Sequence, residues 1–106
     1  MKSDSNTKTV ASALAALGHE ARLSIFRLLV RNGHDGLNVG EISQHVDLPA
    51  STLAHHLRTL VQSGLVIQER RGREVYSRPD FDAMTTTTAF LTQECCVGIC
   101  LTENVA

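Results

Sequence analysis

Apolar residues recur along most of this chain at helical spacing, and the period changes once. Val10, Leu14 and Leu17 fall at i, i+4 and i+7, which predicts an amphipathic helix stopped at Gly18. Ahead of it, residues 1–8 are polar and expected to be frayed. Leu23, Phe26, Leu29 and Val30 predict a second helix from about Glu20 to Arg31, ended by Asn32-Gly33. Asn38 with Glu41 three residues on has the form of a capping box opening a short third helix, whose apolar positions are Ile42 and Val46. Pro49 stands where a helix can begin but not continue, so a fourth helix is expected from about Ala50 to Ser63. Its core stripe is Leu53, Leu57, Leu60 and Val61, and Gly64 ends it.

Beyond Gly64 the period falls to two. Leu65-Val66-Ile67 and Glu74-Val75-Tyr76 flank Glu69-Arg70-Arg71-Gly72-Arg73, a hairpin with Gly72 in its turn. A last helix is expected from Asp80 to about Cys95, with Phe81, Met84, Leu91 and Cys95 near one face. The run Thr85 to Thr88 opposes it by roughly half a kcal/mol per residue against Ala, so that helix depends on packing. Short helix, turn, second helix and basic hairpin make up a winged helix-turn-helix, mainly α with a β-hairpin wing (an α+β class). The expected division of a single domain 1–106 is a frayed start (1–8), two helices (9–32), the helix-turn-helix (38–63), the wing (65–78), a closing helix (80–96) and a Cys-bearing tail (95–106).

The length of 106 residues fits one domain of modest core, with little left for an elaborate active site. Ten basic residues against eleven acidic ones exclude a uniformly basic coat and an acidic disordered chain. The balance hides a split: from Ser51 to Pro79 five arginines face two glutamates, a net +3. From Asp80 onward, four acidic residues have no basic partner. An anionic partner therefore finds a favourable field only in the middle segment. No run approaches the ~20 apolar residues of a membrane span, and Met1 to Thr9 lack the apolar stretch of a secretory signal. Three cysteines within six positions cannot staple distant parts of the chain, so thiols in a reducing cytoplasm are expected.

In a winged helix-turn-helix the fourth helix enters the DNA major groove, which is about 12 Å wide and admits one helix. Ser51, Thr52 and His55 near its start lie opposite the leucine stripe and are the expected base readers. Arg58 is placed to meet a phosphate, and Arg70, Arg71 and Arg73 on the hairpin would add phosphate or minor-groove contacts. His56, beside Leu57, is assigned either to DNA contact or to packing between helices.

Three stretches together resemble the arsenic-repressor (ArsR/SmtB) family of metal-responsive bacterial repressors: Leu17 to Phe26, Leu48 to Leu60 with Ser63-Gly64-Leu65-Val66, and Arg71 to Tyr76. The resemblance runs from Leu14 to Pro79. It implies a homodimer joined through the first and last helices, making residues 80–96 the dimerisation helix. It further implies a pseudo-palindromic double-stranded operator and release from DNA when an inducer binds. Apolar faces on the terminal helices that a short chain cannot cover agree with the dimer.

The family's common Cys-x-Cys arsenic site has no counterpart, since Val39-Gly40-Glu41-Ile42-Ser43 stands in its place. Its zinc site on the last helix is likewise incomplete: Asp80 and Asp82 are present, but no His follows His56. What remains is Cys95, Cys96 and Cys100, soft ligands that select thiophilic metals. On an ideal helix Cys96 and Cys100 share a face while Cys95 points about 100° away, so convergence of all three needs the helix to fray near Gly98. Three sulfurs suit trivalent arsenic or antimony, and family members with such a C-terminal cluster sense arsenite or methylated arsenicals. The resemblance thus implies As(III) or a related metalloid as inducer at these three cysteines. Their closeness in sequence favours one chain supplying them all.

The alternative keeps the fold and makes the cysteines a redox or reactive-sulfur sensor. An enzyme is not expected, because no catalytic Ser-His-Asp or Cys-His arrangement and no phosphate loop is readable. His19, His34 and His45 lie near turns or helix ends, where surface or capping roles are expected.

Overall fold

The computed structural model describes residues 5–100. Five helices and three strands follow in the order α1 (Ser5–Leu17), α2 (Glu20–Asn32), β1 (Leu37–Asn38), α3 (Val39–Ser43), α4 (Ala50–Gln62), β2 (Val66–Arg71), β3 (Glu74–Pro79) and α5 (Phe81–Phe90). The core lies between the helices and the root of the wing. Ile25 and Leu29 of α2, Ile42 of α3, Leu53, Leu57 and Leu60 of α4, and Leu65 are all nearly inaccessible to solvent. Helical spacing marked Leu29, Ile42, Leu53, Leu57 and Leu60 as core but not Ile25, whereas Leu23, which it placed on the buried face of α2, is exposed. Burying each aliphatic side chain contributes about 1.5–3 kcal/mol.

Local chemistry sets the element boundaries. His19 caps α2, its Nδ1 accepting from the Ala21 amide at 3.2 Å. The α3 capping box is complete: Asn38 Oδ1 accepts from the Glu41 amide at 2.8 Å, and Glu41 Oε1 accepts from the Asn38 amide at 2.9 Å. Gly72, at φ 65°, takes the first of two loop positions in the wing hairpin, a backbone conformation that costs other residues strain.

The structure departs from the sequence-based expectation in three further places. The helix α1 begins at Ser5, so residues 5–8 are helical and exposed instead of frayed, while residues 1–4 lie outside the described part. The wing is not a lone hairpin. β1 pairs with β3 through Leu37–Ser77 and Asn38–Tyr76, giving an antiparallel three-stranded sheet of order β1-β3-β2. The closing helix, expected over 80–96, ends at Phe90 and passes into turns through Cys96.

The early end of α5 has a visible cause. Thr88 Oγ1 donates back to the carbonyls of Met84 and Thr85, and Thr92 Oγ1 donates to Ala89, bonds that compete with the helical ladder. Packing gives little in return, since Thr87 is the one α5 side chain that is fully buried among the described residues. Asp80 secures the other end, its Oδ1 accepting from the Ala83 amide at 3.1 Å.

Candidate nucleic-acid interface

The polar face of α4 forms because its apolar face is fully used. Leu53, His56, Leu57 and Leu60 point into the protein at i, i+3, i+4 and i+7, which turns Ser51, His55 and Arg58 outward along one exposed row. Thr52 is half-buried beside them. No side chain caps the start of α4, whose N-cap position is Pro49, so the first-turn amides keep their donors. Thr59 spends its hydroxyl within the helix, donating to the His55 carbonyl at 3.2 Å.

His56 does not join this face. It is 6% exposed, its Nδ1 lies 3.4 Å from Arg22 Nη1, and its ring sits 4.7 Å from that of His19 between centroids. A guanidinium has no acceptor, so Nδ1 takes the hydrogen bond and the neutral ring carries its proton on Nε2. Burial pushes the imidazole below its ordinary value, and the positive charges of His19, Arg22 and His55 add to that effect. Of the two roles open to His56, the structure places it in packing between helices. The signal was present in the sequence: it falls on the leucine stripe, three residues after Leu53 and four before Leu60.

On the wing the arginines divide. Glu69 Oε1 accepts from Arg71 Nη2 at 3.1 Å and from Arg78 Nη1 at 3.0 Å, and the Arg71 guanidinium lies 4.5 Å from the centre of the Tyr76 ring. The hydrogen bond from Arg71 and that residue's charge hold the Glu69 carboxyl below its ordinary value, with Arg78 adding to the effect. Arg70 and Arg73 are exposed and, among the described residues, engage in no ion pair; the same holds for Arg58 on α4. The surface therefore offers three uncommitted cations on α4 and the wing, and two more held by Glu69. Sequence reading missed the partners: Arg22 meets His56 from 34 positions away, and Arg78 meets Glu69 only because the β2–β3 register sets them close.

The remaining chemistry lies after α5. Glu94 and Cys96 both have φ 62°, and this left-handed turn brings the sulfurs of Cys95 and Cys96 to 3.3 Å. Adjacent residues on a continuous helix would diverge; here the helix has ended at Phe90, earlier than the fraying expected near Gly98, and the two neighbours meet. All three cysteines are exposed. Among the described residues no three His, Cys, Asp or Glu side chains are grouped so as to hold a metal ion, so Cys100 is not drawn into a three-ligand set with the other two. His45 donates toward the Glu41 carbonyl at 3.1 Å and His34 packs on Phe81, both local roles. No helix among the described residues is long and apolar enough to cross a membrane.

Comparison with known proteins agrees with this geometry. Residues 17–69, half of the chain, match the model of a helix-turn-helix domain family. The chain is 42% identical over 72 residues to the HTH-type transcriptional regulator NmtR of Mycobacterium tuberculosis, covering 67% of this chain and 58% of that protein. Its structure is similar to that of an ArsR-like transcriptional regulator from Rhodococcus sp. RHA1, with TM-score 0.69 and 27% identity over 81% of this chain and 78% of that one. The fold is also that of a homodimeric winged helix-turn-helix DNA-binding domain from Mycobacterium bovis, with TM-score 0.67 and 24% identity over 91% of this chain and 92% of that one. The chain spans 58–65% of the length of the curated relatives it matches.

Proposed function

Because the chain belongs to the ArsR/SmtB family of winged helix-turn-helix regulators, we propose that it is a cytoplasmic, homodimeric transcriptional repressor whose Cys cluster senses trivalent arsenic. It binds a pseudo-palindromic double-stranded operator with α4 in the major groove and the wing on the neighbouring backbone. Ser51, Thr52 and His55 read bases, Arg58 meets a phosphate, and Arg70 and Arg73 anchor the wing, with Arg71 held in reserve by Glu69. The observation that carries the DNA reading is the single exposed row Ser51–His55–Arg58 on α4, together with the exposed and uncommitted Arg70 and Arg73 of the wing.

For the inducer, the supporting observation is the 3.3 Å approach of Cys95 and Cys96 in an exposed turn. Two neighbouring thiols are a ready chelate for a thiophilic centre, and Cys100 would supply the third sulfur after rearrangement of the tail. Arsenous acid exchanges its three hydroxyls for three thiolates and releases three waters, with no change of oxidation state. The same vicinal pair also favours a second reading, in which peroxide oxidises thiols to a disulfide and is itself reduced to water. A Cys95–Cys96 disulfide closes a strained ring, which makes metalloid ligation the easier route.

Fluorescence anisotropy of labelled operator DNA with reduced protein tests both readings. Release at near-stoichiometric arsenite, with zinc inert, is the expected result. Release by peroxide with arsenite inert would transfer the role to redox chemistry, and failure to bind the DNA at all would remove the repressor reading.

A further inference from the structure

We propose that the segment following α5, residues 91–100, of one copy seats its apolar side chains in the groove between α2 and α5 of a second copy. The groove has a volume of about 330 Å³, and its walls include Leu23, Phe26 and Val30 of α2 and Met84 of α5. Arg27 and Arg31, both exposed, also line it.

The occupant is identified by what the tail leaves uncovered. Leu91, Val97 and Ile99 are 64%, 70% and 80% exposed, well above the 37–43% of the large apolar side chains exposed elsewhere among the described residues. Such a concentration within nine positions is the mark of a contact surface. Charge agrees, since Glu94 is the one ionised residue of the segment and has the opposite sign to the two arginines at the groove.

The chain's own tail is badly placed for that role. Met84 and Thr88 of the same α5 line the groove, so a segment starting at Leu91 would have to reverse over its own helix to enter it. Instead it leaves through left-handed turns at Glu94, Cys96 and Gly98 and stays exposed throughout. A partner joined through α5 would present its tail to the groove from outside. The inference rests on the homodimer in the proposed function and is independent of which inducer the cysteines sense. It gives those cysteines a mechanical position: Cys95 and Cys96 form the bend between the anchors Leu91 and Val97, so chemistry at the sulfurs resets the spacing of the anchors.

The test uses the full chain with Cys95, Cys96 and Cys100 replaced by Ser and two new thiols introduced by Leu23→Cys and Val97→Cys. Both positions are exposed, so folding should survive. Diamide, which takes up the two electrons and two protons of disulfide formation, is added, and the products are separated without reductant. A covalent dimer that needs both substitutions supports the inference. A closed monomer, an unlinked chain, or a dimer formed equally by Val97→Cys alone overturns it. Analytical ultracentrifugation of the same samples separates the failures: a monomer at all concentrations removes the homodimer reading too, whereas a dimer without the cross-link removes this inference alone. With the native cysteines in place, the pair Val97→Glu and Ile99→Glu is expected to weaken dimerisation at least tenfold, and unchanged dimerisation would contradict the docking.

Discussion

The Arg22 guanidinium ties the end of α1 to the middle of α4: its Nε donates to the Ala16 carbonyl at 2.7 Å while Nη1 reaches His56 Nδ1 at 3.4 Å. Helix α4, for which base reading is proposed, is thus held from behind by a neutral imidazole that must accept, not donate.

That requirement makes the holding contact acid-sensitive. Burial and the surrounding positive charges lower the native pKa of His56 from its ordinary 6.5. The unfolded chain consequently takes up a proton at pH values where the native imidazole resists it. The stability contribution is complete above about 6.5 and is lost as pH falls through that value and past the lowered native one. Melting temperature followed from pH 7.5 to 5 should fall more steeply for the native chain than for His56→Gln. Parallel curves would mean that His56 does not couple to folding.

The division of the wing arginines predicts unequal substitutions. Arg70→Ala and Arg73→Ala should each weaken binding to all sequences alike and reduce the slope of log affinity against log salt by about 1. Glu69→Gln should tighten binding roughly 2–5-fold at low salt, by freeing Arg71 and Arg78 and removing a negative charge. Anisotropy titrations at several salt concentrations measure both effects.

On α4, neighbouring histidines should behave oppositely. His55→Ala is expected to cost about 1–3 kcal/mol of discrimination between operator and altered operator, with melting changed little. His56→Ala should lower the melting temperature, because it empties a buried position and removes the acceptor that faces Arg22 Nη1. Equal loss of discrimination without destabilisation in the His56 variant would place it on the reading face after all.

At the tail, Cys95→Ser or Cys96→Ser should leave operator affinity unchanged and abolish release by arsenite, which in the native chain corresponds to a coupling of about 5–150-fold. Loss of DNA binding in the serine variants would instead make the pair structural. Anisotropy with and without arsenite gives both readings in one titration.

Where the sequence was legible, a local rule sufficed. The Asn38/Glu41 capping box, Pro49 at the start of α4 and the Gly72 turn each depend on residues within a few positions, and the structure has all of them. β1 was invisible because a two-residue strand has no period, and its existence depends on Tyr76 and Ser77 lying alongside. The end of α5 is not visible in the sequence because apolar spacing continues through Leu91 and Cys95 after the threonines have stopped contributing to the helix. His56 is ambiguous in the sequence because a polar residue next to the expected reading face invites a role there, although its place on the stripe marks it as inward. The Cys95–Cys96 contact depends on two left-handed backbone positions that nothing in the residue types Glu94 and Cys96 announces.

Asn38 belongs to two structures at once. Its side chain opens α3, the first helix of the helix-turn-helix, while its backbone pairs with Tyr76 on the inner strand of the wing. One residue thereby fixes the gauge between the two parts of the protein proposed to touch the double helix. If that gauge is fixed within a protomer, a change of operator spacing in the proposed dimer has to be absorbed where the two copies meet.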